Sequence, residues 1–209
     1  MAARCGRHLL GLPAGFSDVE AAPLLCAGII GYRSLRLAGA EAGGRLGLFG
    51  FGSSAHLAIQ VARRWGCEVA VFTRSETERA LALRLGAAWA AGYDDRAPWP
   101  LDAAATFAPV GSVVVAALTA LAPGATVAVN AIHLDGMPAF DYDLLWQERA
   151  IRSVANFTRA DATGFLALAA EIPIHAQVQE FPLSAAGEAL ERLAAGGISG
   201  SAVLLVDPA

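Results

Sequence analysis

Charge is scarce in this sequence, and what there is does not cluster. Asp, Glu, Lys and Arg supply 16% of the 209 residues, against 56% for hydrophobic types. That balance excludes intrinsic disorder, which needs low hydrophobicity and high net charge. The 19 acidic residues outnumber the 15 basic ones, for a net charge of −4. No run of Lys or Arg forms the stripe that a phosphate backbone requires, so nucleic acid is not an expected partner. Cysteine is rare. Cys5, Cys26 and Cys67 are an odd set, which argues against a disulfide framework and fits a reducing compartment. Near the N-terminus the only apolar element is the short Leu9-Leu10 pair. That is too little for the core of a secretory signal, and the expected location is cytoplasmic. The uncharged stretch 103–134 is interrupted by Pro109, Pro123-Gly124 and Asn130, so it reads as strand, turn, helix, turn and strand and not as a membrane span. Repeats and low-complexity linkers are absent too. The length suits one good-sized domain, or one domain plus a fragment of a second.

What is present is an alternation of periods. Ser17-Asp18-Val19-Glu20 has the spacing of a capping box and predicts a helical turn from Asp18. Pro23 suits the first turn of a second helix, apolar nearly all round through Leu35 and ending near Gly39. A short apolar run at Leu46, Leu48 and Phe49 then meets a glycine turn. Apolar residues at helical spacing from Ala55 to Trp65 follow, with Ser53 or Ser54 as cap and Gly66 as stop. Val69-Ala70-Val71-Phe72 is the next strand, completing a strand, crossover helix and parallel strand. The alternation continues with a helix over 78–85, a weak strand near Trp89, a strand over 101–107, a helix over 110–121 and strands over 125–129 and 151–155. The predicted architecture is α/β, a Rossmann-type doubly wound parallel sheet. A tail of helix (161–171), strand (178–181), Ala-rich helix from Ser184 and strand (202–206) need not join that sheet.

Gly50, Gly52 and Ala55 form a G-x-G-x-x-A pattern between a strand and a helix. There the first glycine makes a tight turn, the second lets backbone approach a pyrophosphate, and the small third residue lets helix and strand pack. Ser53 and Ser54 sit where the helix presents its unpaired N–H groups to the anion. The tip of the next strand discriminates between nicotinamide dinucleotides: an acid accepts from a ribose 2′-hydroxyl, whereas cation and hydroxyls suit a 2′-phosphate. Here it reads Thr73-Arg74-Ser75. With no acid at the tip and a guanidinium fork on Arg74, NADP is favoured over NAD.

With these residues assembled, the chain resembles the medium-chain, zinc-type alcohol dehydrogenases, in particular their bacterial propanol-preferring branch. The resemblance rests on Ala21-Ala22-Pro23-Leu24-Leu25-Cys26-Ala27-Gly28, on Gly50-Phe51-Gly52, on Phe107-Ala108-Pro109-Val110-Gly111 and on Arg152-Ser153-Val154-Ala155-Asn156. It implies hydride transfer between a nicotinamide dinucleotide and a primary alcohol or aldehyde, in a Rossmann domain flanked by a GroES-like catalytic domain. On that pattern residues 1–28 are the end of the catalytic domain, 29–158 the dinucleotide-binding domain, and 159–209 a segment returning to the catalytic domain. Most of the catalytic domain is then missing, and the chain reads as truncated. The resemblance makes Cys26 a ligand of a catalytic zinc, and places Ala108, Pro109, Ala131 and Ile132 along the cofactor. It also implies a homo-oligomer paired through edge strands, here 150–155.

Departures from the pattern matter as much. A catalytic zinc needs about three protein ligands, and Cys26 is one; read alone, it is a small core hydrophobe. Cys5 and His8 have a chelating spacing but no second pair, and do not read as replacements. His133 reads as a loop histidine. Gly200-Ser201 stands where many relatives carry an arginine for the pyrophosphate. No catalytic residue is assigned. Two alternatives stay open: a non-catalytic dinucleotide-binding module, and a zinc-free NADPH-dependent quinone or enone reductase.

Overall fold

The computed structural model describes residues 9–206. Its first helix, α1 (Asp18–Pro23), starts on a complete capping box: Ser17 accepts from the Glu20 N–H while the Glu20 carboxylate accepts from Ser17. Pro23 closes α1 and does not open a second helix, because the rod does not stop there. It widens into one π turn (Leu24–Gly28) and continues as α2 (Ile29–Ala38), ending at Gly39 in the left-handed conformation.

The elements that follow are β1 (Arg45–Phe49), α3 (Ser53–Arg64), β2 (Glu68–Phe72), α4 (Glu76–Arg84), β3 (Trp89–Ala91), β4 (Leu101–Thr106), α5 (Gly111–Thr119), β5 (Leu121–Val129) and β6 (Ala150–Ser153). All six strands are parallel, in the order β3-β2-β1-β4-β5-β6. This is the Rossmann order, and the direction of winding switches between β1 and β4. Both faces are covered. Leu46, Leu48, Val69, Val71, Ala103 and Ala105 pack in one core with residues of α2, α3 and α6 (Arg159–Glu171). Phe49, Phe72, Ala104, Val127 and Val129 pack in a second core with α5. The consecutive alanines of β4 let helices lie close on either side of the central strand, and burial accounts for the absence of charge over 103–106. Among the described residues no helix is long and apolar enough to cross a membrane.

One boundary differs from the periodic reading. The helix expected over 110–121 ends at Thr119, and Leu121 already pairs with Leu101. The Pro123-Gly124 turn then interrupts the ladder, which resumes with Ala103 opposite Thr126 after a register shift. Pro123-Gly124 signals the interruption locally, but nothing in the apolar run marks Leu121 as strand; its pairing with β4 decides that.

The tail forms its own small sheet. β7 (Val178–Pro182) and β8 (Ser201–Leu205) pair in parallel, with α7 (Ala186–Ala194) between them in sequence. Polar contacts tie this segment to the main body. The buried Asp161 of α6 receives Arg33 at 2.5 Å and Arg36 at 2.6 Å, both from α2. It also accepts from Thr158, in a second complete capping box. Burial opposes the charge, but the Thr158 hydrogen bonds and Arg33 outweigh it and hold the carboxyl at about 2. The Gln60 amide on α3 donates to the His175 carbonyl and accepts from the His175 N–H, each at 2.9 Å.

Candidate functional site

A crevice of about 1630 Å³ opens at the carboxyl ends of the strands, across the switch between β1 and β4. Open α/β sheets bind ligands at that place. The strand ends are held level by backbone bonds running past the sheet. Gly50 N–H donates to Phe72 O at 2.8 Å, Phe107 N–H to Phe49 O at 2.7 Å, and Asn130 N–H to Thr106 O at 2.9 Å.

Gly50 turns the chain from β1 toward α3 with φ +87°, and a Cβ there would stand 2.9 Å from Ala108 N. Only glycine meets both conditions. At Gly52 an added Cβ would meet nothing within 4 Å, so the backbone faces open space in the crevice. Gly52, and neither serine, is the N-cap of α3, and no side chain caps this helix. Its first N–H groups therefore point outward unclaimed by a cap, the arrangement that receives an anion. Ser53 and Ser54 line the crevice; Ala55 does not, being wholly buried beneath the turn where α3 packs on the sheet.

Two groups that sequence reasoning missed brace this turn. His56 is buried, its Nδ1 3.3 Å from Gly52 O, while its Nε2 accepts from the Gln177 N–H at 3.1 Å. Nδ1 therefore carries the proton and donates to Gly52. Burial lowers the His56 pKa and keeps the ring neutral, which the pair of partners requires. Ser53 shares a 2.5 Å hydroxyl pair with Ser201, buried at the start of β8. Where relatives are expected to extend an arginine, this chain ties its tail to the first residue of α3.

At the tip of β2, Thr73 is buried and Arg74 exposed. Thr73, Arg74 and Ser75 all line the crevice. Beneath them Phe72 stacks on Phe49 with centroids 4.1 Å apart and meets Trp89 edge-on. Arg79 secures the tip by donating to the Thr73 and Arg74 carbonyls at 2.9 and 3.2 Å. No acid stands among the tip residues themselves, but one reaches them from the next helix. Glu78, from the first turn of α4, accepts the Thr73 hydroxyl and lines the crevice. Tyr93 stands beside them. Burial pushes its hydroxyl up, the Arg74 charge pulls it down, and Glu78 pushes it up again.

At the far end Ala108, Pro109, Ala131, Ile132 and His133 line the crevice, facing residues 154–157. Ile132 is 92% exposed, so this end is a wall with one side bare. Cys26 also lines it, presented as an exposed thiol by the π turn. The reading of Cys26 as a core hydrophobe is thereby overturned. Yet among the described residues no three His, Cys, Asp or Glu side chains gather to hold a metal. One thiol does not make a zinc site, and Cys5 and His8 lie outside the described residues. Residues 196–199 close the crevice from the tail, a contribution that no local pattern announces.

Comparisons with known proteins agree with this fold. The family model described as zinc-binding dehydrogenase matches residues 55–171. The chain is 54% identical over 196 residues to the Probable alcohol dehydrogenase AdhA of Mycobacterium tuberculosis, covering 93% of this chain and 57% of that protein. It is 30% identical over 216 residues to an alcohol dehydrogenase of Geobacillus stearothermophilus, covering 96% and 62%. Among solved structures, a cinnamyl alcohol dehydrogenase of Sorghum bicolor superposes with TM-score 0.85 at 26% identity, over 93% of this chain and 57% of that one. The chain thus spans about three fifths of the length of the curated relatives it matches.

Proposed function

The chain belongs to the zinc-binding dehydrogenase family, and on that premise we propose that it is the nucleotide-binding part of an alcohol dehydrogenase. The activity is hydride transfer between a nicotinamide dinucleotide and a primary alcohol or aldehyde. One observation carries the reading: the Gly50–Gly52 turn and the uncapped start of α3 open on a crevice at the switch point. A bound dinucleotide supplies the hydride chemistry itself. The chain's own residues bind and orient it. The Gly52 backbone and the first N–H groups of α3 take the pyrophosphate, with the Ser53 and Ser54 hydroxyls beside them. Thr73, Arg74 and Ser75 take the adenosine ribose, and NADP(H) is favoured over NAD(H) because Arg74 is an exposed cation at the 2′ position. Ala108, Pro109, Ala131 and Ile132 flank the nicotinamide. Residues 29–158 form the dinucleotide-binding domain, while 1–28 and 159–209 belong with the catalytic side. The exposed edge of β6 is the surface for pairing with a second copy.

The single thiol at the far end favours a second reading, a dinucleotide-binding module without its own turnover. One experiment separates the two. The purified chain is titrated with NADPH by fluorescence, its zinc content is measured, and alcohol-dependent NADP⁺ reduction is assayed. Turnover with bound zinc supports the dehydrogenase for this polypeptide; binding without zinc or turnover supports the module. NADPH-dependent quinone reduction by metal-free protein would replace both, and failure to bind NADPH or NADH would overturn the dinucleotide site.

A further inference from the structure

We propose that Glu78 is a specificity-determining residue at the adenosine end of the crevice, a carboxylate that admits a ribose 2′-hydroxyl and resists a 2′-phosphate. The inference rests on the dinucleotide-binding reading above. At the start of α4 a capping pattern is left half made. Three helices start on a Ser or Thr followed three residues later by an acid: Ser17 and Glu20, Ser75 and Glu78, Thr158 and Asp161. In the first and third the acid folds back to the N-cap backbone and both halves of the box form. In the second, Ser75 accepts from the Glu78 N–H at 3.3 Å, but the Glu78 carboxylate does not return. The Ser75 N–H faces Thr73 Oγ1 at 3.5 Å instead, and Glu78 accepts the Thr73 hydroxyl proton. The carboxylate has been turned from its own helix end toward the strand tip.

This diversion changes what the subsite offers. Thr73 lines the crevice, but its proton is committed to Glu78 and is not available to a phosphate oxygen. A carboxylate keeps further lone pairs to accept a ribose hydroxyl. Its fixed negative charge opposes a phosphate dianion within a few ångströms. Arg74 pulls the other way. Both charges act on the Tyr93 hydroxyl with opposite sign, so they converge on one small region. Glu78 therefore lowers a preference for NADP(H) that Arg74 creates, and the chain accepts both dinucleotides.

The test is the ratio of NADH to NADPH dissociation constants, measured by cofactor fluorescence on the full 209-residue chain. Adenosine 2′,5′-bisphosphate displacement serves as a probe of the adenosine end alone. Glu78→Gln keeps the shape and removes the charge; it is expected to raise the ratio about tenfold and to tighten the bisphosphate similarly. Arg74→Ala is expected to lower the ratio. High salt should shrink the Glu78→Gln effect, which a packing role would not produce. Glu78→Ala, which keeps a good helix former, gives the same reading if the Gln variant unfolds. A ratio unchanged within about twofold in folded variants overturns the role of Glu78 while leaving the dinucleotide site standing. A wild-type chain that binds neither cofactor overturns the underlying reading instead.

Discussion

Alanine at Gly50 and alanine at Gly52 should fail in different ways, and the difference tests how the turn works. At Gly50 the backbone sits at φ +87°, where an L-residue costs about 1–2 kcal/mol. The new Cβ would lie 2.9 Å from Ala108 N and 3.3 Å from both Ala108 Cβ and Phe107 C. These are backbone and near-backbone atoms that cannot swing aside, so overpacking adds about 1–3 kcal/mol. The sum, roughly 2–5 kcal/mol, is a large share of the roughly 5–15 kcal/mol expected of a folded domain. Relief of the clash must move β1 against the loop after β4, and the wall of the crevice moves with it. Gly50→Ala should therefore lose stability in urea unfolding, with an unchanged m-value, and lose NADPH affinity in cooled titrations. At Gly52 the Cβ meets nothing and φ is −91°. Gly52→Ala should stay within about 0.5 kcal/mol of wild type and still weaken NADPH at least about tenfold, because its methyl occupies the space the pyrophosphate needs. If Gly52→Ala binds NADPH as wild type does, or is as unstable as Gly50→Ala, the turn is not a phosphate cradle.

Two pH windows should separate in equilibrium unfolding. His56 has a folded pKa below its ordinary 6.5, so the unfolded chain binds the extra proton first; stability is complete above 6.5 and falls as pH drops below it. In His56→Leu that slope should vanish, at a cost of about 1–3 kcal/mol because the part-buried Gln177 N–H loses its acceptor. Asp161 acts lower: its carboxyl moves from 3.8 to about 2 on folding, so its contribution is present above 3.8 and is lost between there and about 2. The shift is worth roughly 2 kcal/mol, and Asp161→Asn should remove that window in acid titrations of stability. Ser201→Ala should cost about 1 kcal/mol by removing the Ser53–Ser201 hydrogen bond. Its NADPH affinity should fall as well, measured in the same fluorescence titration.

Much of this architecture was legible because it is written in local periods. The change from helical spacing to short apolar runs at Arg45, and back again at Ser53, locates β1, α3 and β2 without any tertiary knowledge. The glycine turn is legible for the same reason: a positive φ beside a close backbone approach leaves a residue type behind. What escaped is what depends on partners far along the chain. Asp161 meets arginines 125 and 128 residues earlier, His56 meets Gln177, and Ser53 meets Ser201 across 148 residues. The start of β5 escaped too, since Leu121 is strand only because Leu101 lies beside it. Glu78 is the intermediate case. Its spacing from Ser75 is a visible signal, but whether the carboxylate closes the box or turns to Thr73 is settled by the neighbouring strand.

One pattern in α3 joins these observations. Its buried positions from Ala55 to Ala62 are apolar with one exception, His56, and Ser53, His56 and Gln60 fall at helical spacing along one face. A polar stripe on an otherwise buried helix demands partners, because unpaired polar groups there are costly. The partners are Ser201, the Gln177 N–H and the His175 backbone, all from the tail. The helix that offers its N-terminus to the crevice is thus also the clamp for residues 175–201. That tail contributes residues 196–199 to the crevice wall. Loosening the stripe should therefore disturb the site even though the glycine turn itself is untouched.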